Sequence, residues 1–212
     1  MPTSNIFTWK DGAGWLVLSG GADGSGSVRA AALERIAADG ALVCLSFGGV
    51  DDDAVLDDLA ELGGPAGYLV NVLTEDDATI RNQIGEASMV IISADLTSNT
   101  VRSNLMGAAI EGLELAYGGG AVILAEGEAS SVFGSYMPDS DGFEWLERGF
   151  VQAGVTSAAE SEMVREMVVR QPDVIVLGLA LGAAMVFGGT GSVETWGNQQ
   201  VTITLGNAYT SS

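Results

Sequence analysis

Apolar runs of strand length alternate along this chain with stretches whose apolar residues recur three or four apart. Trp15–Ser19, Ala41–Ser46, Tyr68–Leu73, Met89–Ser93 and Ala121–Ala125 are the strand-like runs. Between the first two, Val28, Ala32 and Ile36 recur at helical spacing and stop at Asp39 and Gly40. Val55, Leu59 and Leu62 repeat the pattern behind an acidic start, and Gly63 and Gly64 close it. Thr74 with Asp77 reads as a capping box ahead of Ile80 and Ile84. Helical sequence then runs from about Thr97 to Tyr117, and a further helix begins within 127–133. Residues 138–142 are the most loop-like stretch. Ser157 with Glu160 forms a second capping box, before Met163, Val164, Met167 and Val168, and Pro172 stops that helix.

The tail changes character. Val174–Leu181, Ala183–Phe187 and Val201–Leu205 are short apolar runs separated by glycine-rich turns, and the last alternates with Thr202 and Thr204. Strand–helix alternation predicts an α/β fold: three layers around a mostly parallel, doubly wound sheet of the flavodoxin or Rossmann kind. The closing hairpins predict antiparallel strands added at one end. No repeat or linker interrupts the pattern, so residues 1–212 read as one domain.

Composition narrows the chemistry. The chain has no histidine, which excludes Ser-His and Cys-His nucleophilic units and imidazole metal ligands. One cysteine, Cys44, lies mid-strand among apolar neighbours and reads as core. Asp and Glu number 28 against 8 Lys and Arg, a formal net charge of −20, with Lys10 the only lysine. Such a surface repels phosphate backbones and anionic lipid, so neither nucleic acid nor membrane is an expected partner. No apolar run is long enough to span a bilayer, and the N-terminal residues lack the pattern of a signal peptide; the cytoplasm is the expected location.

Three segments invite a site. The glycine-rich turn Gly20–Gly26 follows the first strand, where open α/β sheets bind ligands. It has no lysine for a P-loop, and Arg29 stands where a dinucleotide fingerprint needs its third glycine. The run Asp51, Asp52, Asp53, with Asp57 and Asp58, is contiguous at a helix start rather than alternating like a calcium loop, and reads as favourable helix electrostatics. No metal or cofactor is expected. The third segment, residues 120–134, is a strand, small residues and a helix, the layout of a nucleophile elbow. Its tip is Glu126, Gly127 or Glu128, none of them a nucleophile.

Here the sequence resembles the cyanophycinase and dipeptidase-E family of serine peptidases, within the class I glutamine-amidotransferase-like fold. The family segment AYxRGAVIAGTSAGAAVMG is similar, without a gap, to AYGGGAVILAEGEASSVFG at 116–134, and its nucleophilic serine falls on Gly127. The family's TGGDQ strand end resembles 92–96: Ser93 and Ala94 replace the oxyanion glycines, and Asp95 keeps the aspartate. The family histidine falls on Ala153, and its arginines on Ser157, Ala159 and Glu162. The closing family strand resembles 178–184, with Ala180 and Leu181 for its acidic pair. The opening strand with Gly20 and Gly21 also fits.

The resemblance implies a scaffold whose catalytic positions are vacant. A degenerate binder of a small molecule or peptide, or an assembly subunit, is the leading expectation. Gly21, Asp23, Ser93, Ala94, Asp95, Glu126, Gly127, Glu128 and Ser130 would line its site. The carboxylates favour a cationic ligand, and a homo-oligomer, a dimer in the simplest case, is expected. The alternative is a hydrolase whose nucleophile has moved to Ser130 or Ser131, with Glu126 or Glu128 as general base.

Overall fold

The computed structural model describes residues 6–36, 40–49 and 52–209. Eleven strands and seven α-helices follow one another among these residues. The first half alternates strictly: β1 (Trp15–Ser19), α1 (Ser27–Leu33), β2 (Leu42–Ser46), α2 (Asp52–Glu61), β3 (Gly67–Asn71), α3 (Asp77–Gly85) and β4 (Met89–Ser93). Then come α4 (Ser98–Leu105), α5 (Ala108–Gly118), β5 (Val122–Glu126) and the single-turn α6 (Glu128–Ser131). The second half holds β6 (Gly134–Tyr136), β7 (Leu146–Ala153), α7 (Glu162–Arg170), β8 (Ile175–Leu179), β9 (Ala183–Gly188), β10 (Val193–Gly197) and β11 (Val201–Leu205).

A seven-stranded sheet, order β10-β9-β1-β5-β4-β2-β3, forms the centre. Its five-strand block from β1 to β3 is parallel, while β9 and β10 extend it antiparallel beyond β1. Strand side chains alternate between faces, so β5 sends Val122 and Leu124 to one core and Ile123 and Ala125 to the other. The first core is closed by Val28 and Ala32 of α1, Leu59 of α2 and Trp196 of β10. The second is closed by Ile80 and Ile84 of α3, Val101 and Leu105 of α4, and Leu113 and Tyr117 of α5. This is the expected α/β class: a mostly parallel sheet covered on both faces, with antiparallel strands near the C-terminus.

Several local expectations change. The closing strands do not all join one sheet. β11 pairs antiparallel with β8 in a second, four-stranded sheet, order β11-β8-β7-β6. Strands β6 and β7 were not legible: β6 has three residues, and Glu147 and Arg148 interrupt the apolar pattern of β7. Arg148 has φ 57°, rare for a side-chain-bearing residue, and its N–H bonds the Ser135 hydroxyl at 2.9 Å. The predicted helix 97–117 breaks into α4 and α5 at Met106, which is extended, and Gly107, whose φ of 88° suits glycine.

Both predicted capping boxes are replaced. Asp76, not Thr74, caps α3: its carboxylate accepts from the N–H groups of Ala78 and Thr79 at 3.1 and 3.0 Å. Ser157 makes no side-chain cap; it precedes a 3-10 turn at 158–160, after which Ser161 stands at the N-cap of α7. No helix among the described residues is long and apolar enough to cross a membrane.

Helices α3 and α5 pack closely because Gly112 has no side chain. A Cβ there would stand 2.8 Å from Ile84 Cβ and 3.0 Å from the Arg81 carbonyl. Gly112→Leu should therefore destabilise the fold by about 1–3 kcal/mol through overpacking. Urea denaturation checks this; an unchanged midpoint would mean that the helix pair is looser than described.

Candidate functional site

Parallel strands in one sheet end together, and here their ends are polar. Ser19, Glu126 and Ser93 stand in register across β1, β5 and β4, and Ser46 opposes Asn71 across β2 and β3. Glu126 continues the alternation of β5, so its side chain emerges on the α1/α2 face. It is 4% exposed, and Arg29, from α1, is 6% exposed. A buried carboxylate and a buried guanidinium are each costly alone. They meet in a bidentate pair: Arg29 Nε donates to Glu126 Oε1 at 2.9 Å and Nη2 to Oε2 at 2.6 Å. Arg29 Nη1 donates to Asp58 Oδ2, on α2, at 2.7 Å. Burial works against the Arg29 charge, but the hydrogen bonds to Glu126 and the charges of Glu126 and Asp58 outweigh it, so its pKa lies above the ordinary arginine value.

A cavity of about 280 Å³ opens in front of this network. Its wall is the turn from β1 to α1, where Gly21, Gly24 and Gly26 have φ of 115°, 77° and 63°. Asp23 in that turn accepts from the Ser25 N–H at 2.9 Å and its hydroxyl at 2.6 Å, which hold its carboxyl below the usual range. Gly182 leaves room for the Asp23 carboxylate, since a Cβ there would collide with it. Glu61, the last residue of α2, and Leu62, which follows it and lies against Gly26, also line the cavity.

Beside the cavity the chain turns at Gly127. Its φ of 60° and ψ of −133° place it in a region strained for any residue with a side chain. This is the sharp strand-to-helix turn of a nucleophile elbow. A Cβ built on Gly127 would meet nothing within 4 Å. The turn is pinned to β1: the Gly127 N–H donates to the Ser19 carbonyl at 3.0 Å. The Ser130 hydroxyl donates to the same carbonyl at 2.6 Å and lies 2.8 Å from the Ala125 carbonyl. Ser131 donates to the Val151 carbonyl at 2.9 Å.

Of the anticipated ligand-lining residues, Gly21, Asp23 and Glu126 line the cavity; Ser93, Ala94, Asp95, Gly127, Glu128 and Ser130 do not. Ser93 ends β4 opposite Glu126, Asp95 is exposed in the following loop, and Glu128 is exposed at the start of α6. Ser130 and Ser131 are buried, and both hydroxyls point at backbone carbonyls. Neither hydroxyl stands at the tip of the turn; of the two carboxylates considered as its base, Glu126 is bonded to Arg29 and Glu128 is exposed. Ala153 ends β7, two residues beyond the strand position that Ser131 touches. Of the acidic run, Asp51 lies outside the described residues, and Asp58 serves the Arg29 network.

Sequence reasoning missed Arg29 and Asp58 as site residues. One signal was present: a glutamate ending an otherwise apolar strand must find a cation, and the chain has only 8 Lys and Arg.

Several solved structures share this architecture, two of them peptidases. A peptidase from an acI-B1 actinobacterium superimposes with a TM-score of 0.73 at 14% identity, over 93% of each chain. A peptidase E-type protein from Listeria monocytogenes EGD-e superimposes with a TM-score of 0.66 at 11% identity, over 88% of this chain and 98% of that one. At these identities the likeness establishes the fold, which is peptidase E-like. No family model and no curated protein matches the sequence.

Breaking the buried pair from one side should be far worse than replacing both partners. Arg29→Met, which strands a buried carboxylate, is expected to cost about 3–5 kcal/mol, and Arg29→Met with Glu126→Leu to restore most of that. Asp58→Asn should cost under about 1 kcal/mol, because the Asp58 side chain is 62% exposed. Denaturant titration of these variants, with Glu126→Leu alone to complete the cycle, measures this; additive losses for Arg29 and Glu126 would show that they are not coupled.

Proposed function

We propose that this protein is a diverged, non-hydrolytic relative of the cyanophycinase and dipeptidase-E peptidases, a pseudoenzyme that binds a small molecule or peptide above the carboxyl edge of its sheet. The observation that carries the reading is Gly127. The elbow that presents a nucleophile in acyl-transfer enzymes is present as backbone, and its tip has no side chain.

Three further features support it. The chain has no histidine to serve as base. The hydroxyls that follow the tip in the chain, on Ser130 and Ser131, act as hydrogen-bond donors that fasten the turn and β7. The residue before the tip, Glu126, is held in a buried ion pair with Arg29. Losing members of a nucleophile–base unit lowers rates by several powers of ten, and one loss does not compensate another. The glycine turn and its cavity persist beside the empty tip, which favours binding as the retained role.

Intact-mass spectrometry after treatment with a serine-directed fluorophosphonate tests the reading, with amidase and esterase substrates assayed in parallel. The expected result is unmodified protein and no turnover. A stoichiometric adduct on Ser130 or Ser131, together with hydrolysis lost in the Ser→Ala variant, would overturn it.

A further inference from the structure

We infer that the free edge of β11 is a dimerisation surface, on which a second copy of this chain pairs antiparallel and joins the two four-stranded sheets into one. The inference goes beyond the ligand-binding reading above and does not depend on it.

Backbone register carries it. Among the described residues β11 pairs with β8 and with no other strand. Two bonds flank that pairing: Ala180 N–H to the Gln200 carbonyl at 3.4 Å, and Gly206 N–H to the Val174 carbonyl at 2.8 Å. In an antiparallel ladder every second residue is bonded to the neighbour, so Thr202 and Thr204 turn their backbone groups to β8. The N–H and C=O groups of Val201, Ile203 and Leu205 then point out of the sheet edge. Such an edge accepts another strand unless charge, proline, a bulge or short length blunts it. β11 has none of these: its five residues, VTITL, keep an unbroken register with β8, and Ile203 is 45% exposed. The other edges are guarded. β10 carries Glu194, β6 has three residues, and β3 runs on toward Glu75, Asp76 and Asp77.

Charge and symmetry select the partner. At a net charge of −20, two copies repel each other over most of their surface. From residue 174 onward Glu194 is the only charged side chain, and Arg35 neutralises it at 2.8 Å. β11 thus lies in a neutral region where two such chains can approach, and where a basic partner would find no carboxylate to meet. A two-fold axis at Ile203 sets Val201 opposite the partner's Leu205 and Ile203 opposite its own copy. Outward-facing residues then meet outward-facing residues, so every free N–H finds a carbonyl. The side chains of Val201, Ile203 and Leu205 share one face of the strand. Val201 and Leu205 already rest against the main core, and across the axis they and Ile203 form aliphatic cross-strand pairs.

Sedimentation velocity of the full chain, from low-micromolar to submillimolar concentration, tests this together with amide hydrogen exchange. A reversible species of twice the 21.7 kDa chain mass is expected. Added salt should strengthen it, because salt screens the repulsion between two acidic chains. In the dimer the amides of Val201, Ile203 and Leu205 should exchange as slowly as those of Thr202 and Thr204. Ile203→Glu, which brings two carboxylates together at the axis, should weaken association by about tenfold or more. Ile203→Pro removes an outward N–H, leaves the bonds to β8 in place and should weaken association too. Ile203→Val should leave it unchanged. Circular dichroism establishes that each variant is folded. A parent chain that stays monomeric throughout would overturn the inference. So would a dimer that both Ile203→Glu and Ile203→Pro leave intact, with the three edge amides exchanging freely.

Discussion

Glu126 occupies the last position of a strand whose five residues are all buried, one residue before the chain turns sharply at Gly127. A carboxylate in such a place is tolerated when a cation is brought to it and its oxygens are filled by hydrogen bonds. Arg29 does both, from the first turns of a helix 97 residues earlier in the chain. The pair joins α1 to the centre of the sheet, and its third bond reaches α2. The β1–α1 turn, the end of β5 and the end of α2 are thus held around one guanidinium. The cavity is the space these three segments leave.

The same constraint explains how the sharp turn at Gly127 is held. Strain at a strand-to-helix turn lasts only where the surroundings impose it. Here the Gly127 N–H and the Ser130 hydroxyl both fasten the turn to the Ser19 carbonyl, while Arg29 fixes the preceding side chain. Glycine at 127 relieves the steric part of that strain. The turn is thus a fixed part of the sheet's carboxyl edge, beside the cavity between α1 and α2. The fold shared with the actinobacterial peptidase and the Listeria peptidase E-type protein fits this view, since one scaffold hosts different sites.

Much of the fold was legible because its signals are local. Each strand of the parallel block is a short apolar run ended by a turn signal, and α1, α2 and α3 show apolar spacing next to a stop. The strand–turn–helix pattern marked the sharp turn after β5 at Glu126, Gly127 or Glu128, and the resemblance singled out Gly127, whose φ of 60° is where the chain turns. What stayed hidden depends on distant partners. Arg29 reads locally as a polar break in an apolar helix stripe, and only the folded sheet brings Glu126 to it. Strands β6 and β7 were hidden because one is too short and the other carries Arg148 at positive φ, which destroys the alternation. The acidic residues looked like a single site when read along the chain. In space, Asp95 and Glu128 lie outside the cavity, while Asp58, which read as favourable charge near a helix start, and Glu61 line it.

The central claim is that position 127 stands at the tip of an intact elbow, open to solvent and without a reactive group. Thiol labelling of Gly127→Cys measures this most directly, with buried Cys44 as the internal control. The account predicts one rapid adduct, mapped to position 127, on protein whose circular dichroism matches the parent apart from a strain cost of about 1–3 kcal/mol in stability. A folded variant whose residue 127 resists labelling as Cys44 does would contradict it, because the tip would then be buried and the elbow closed.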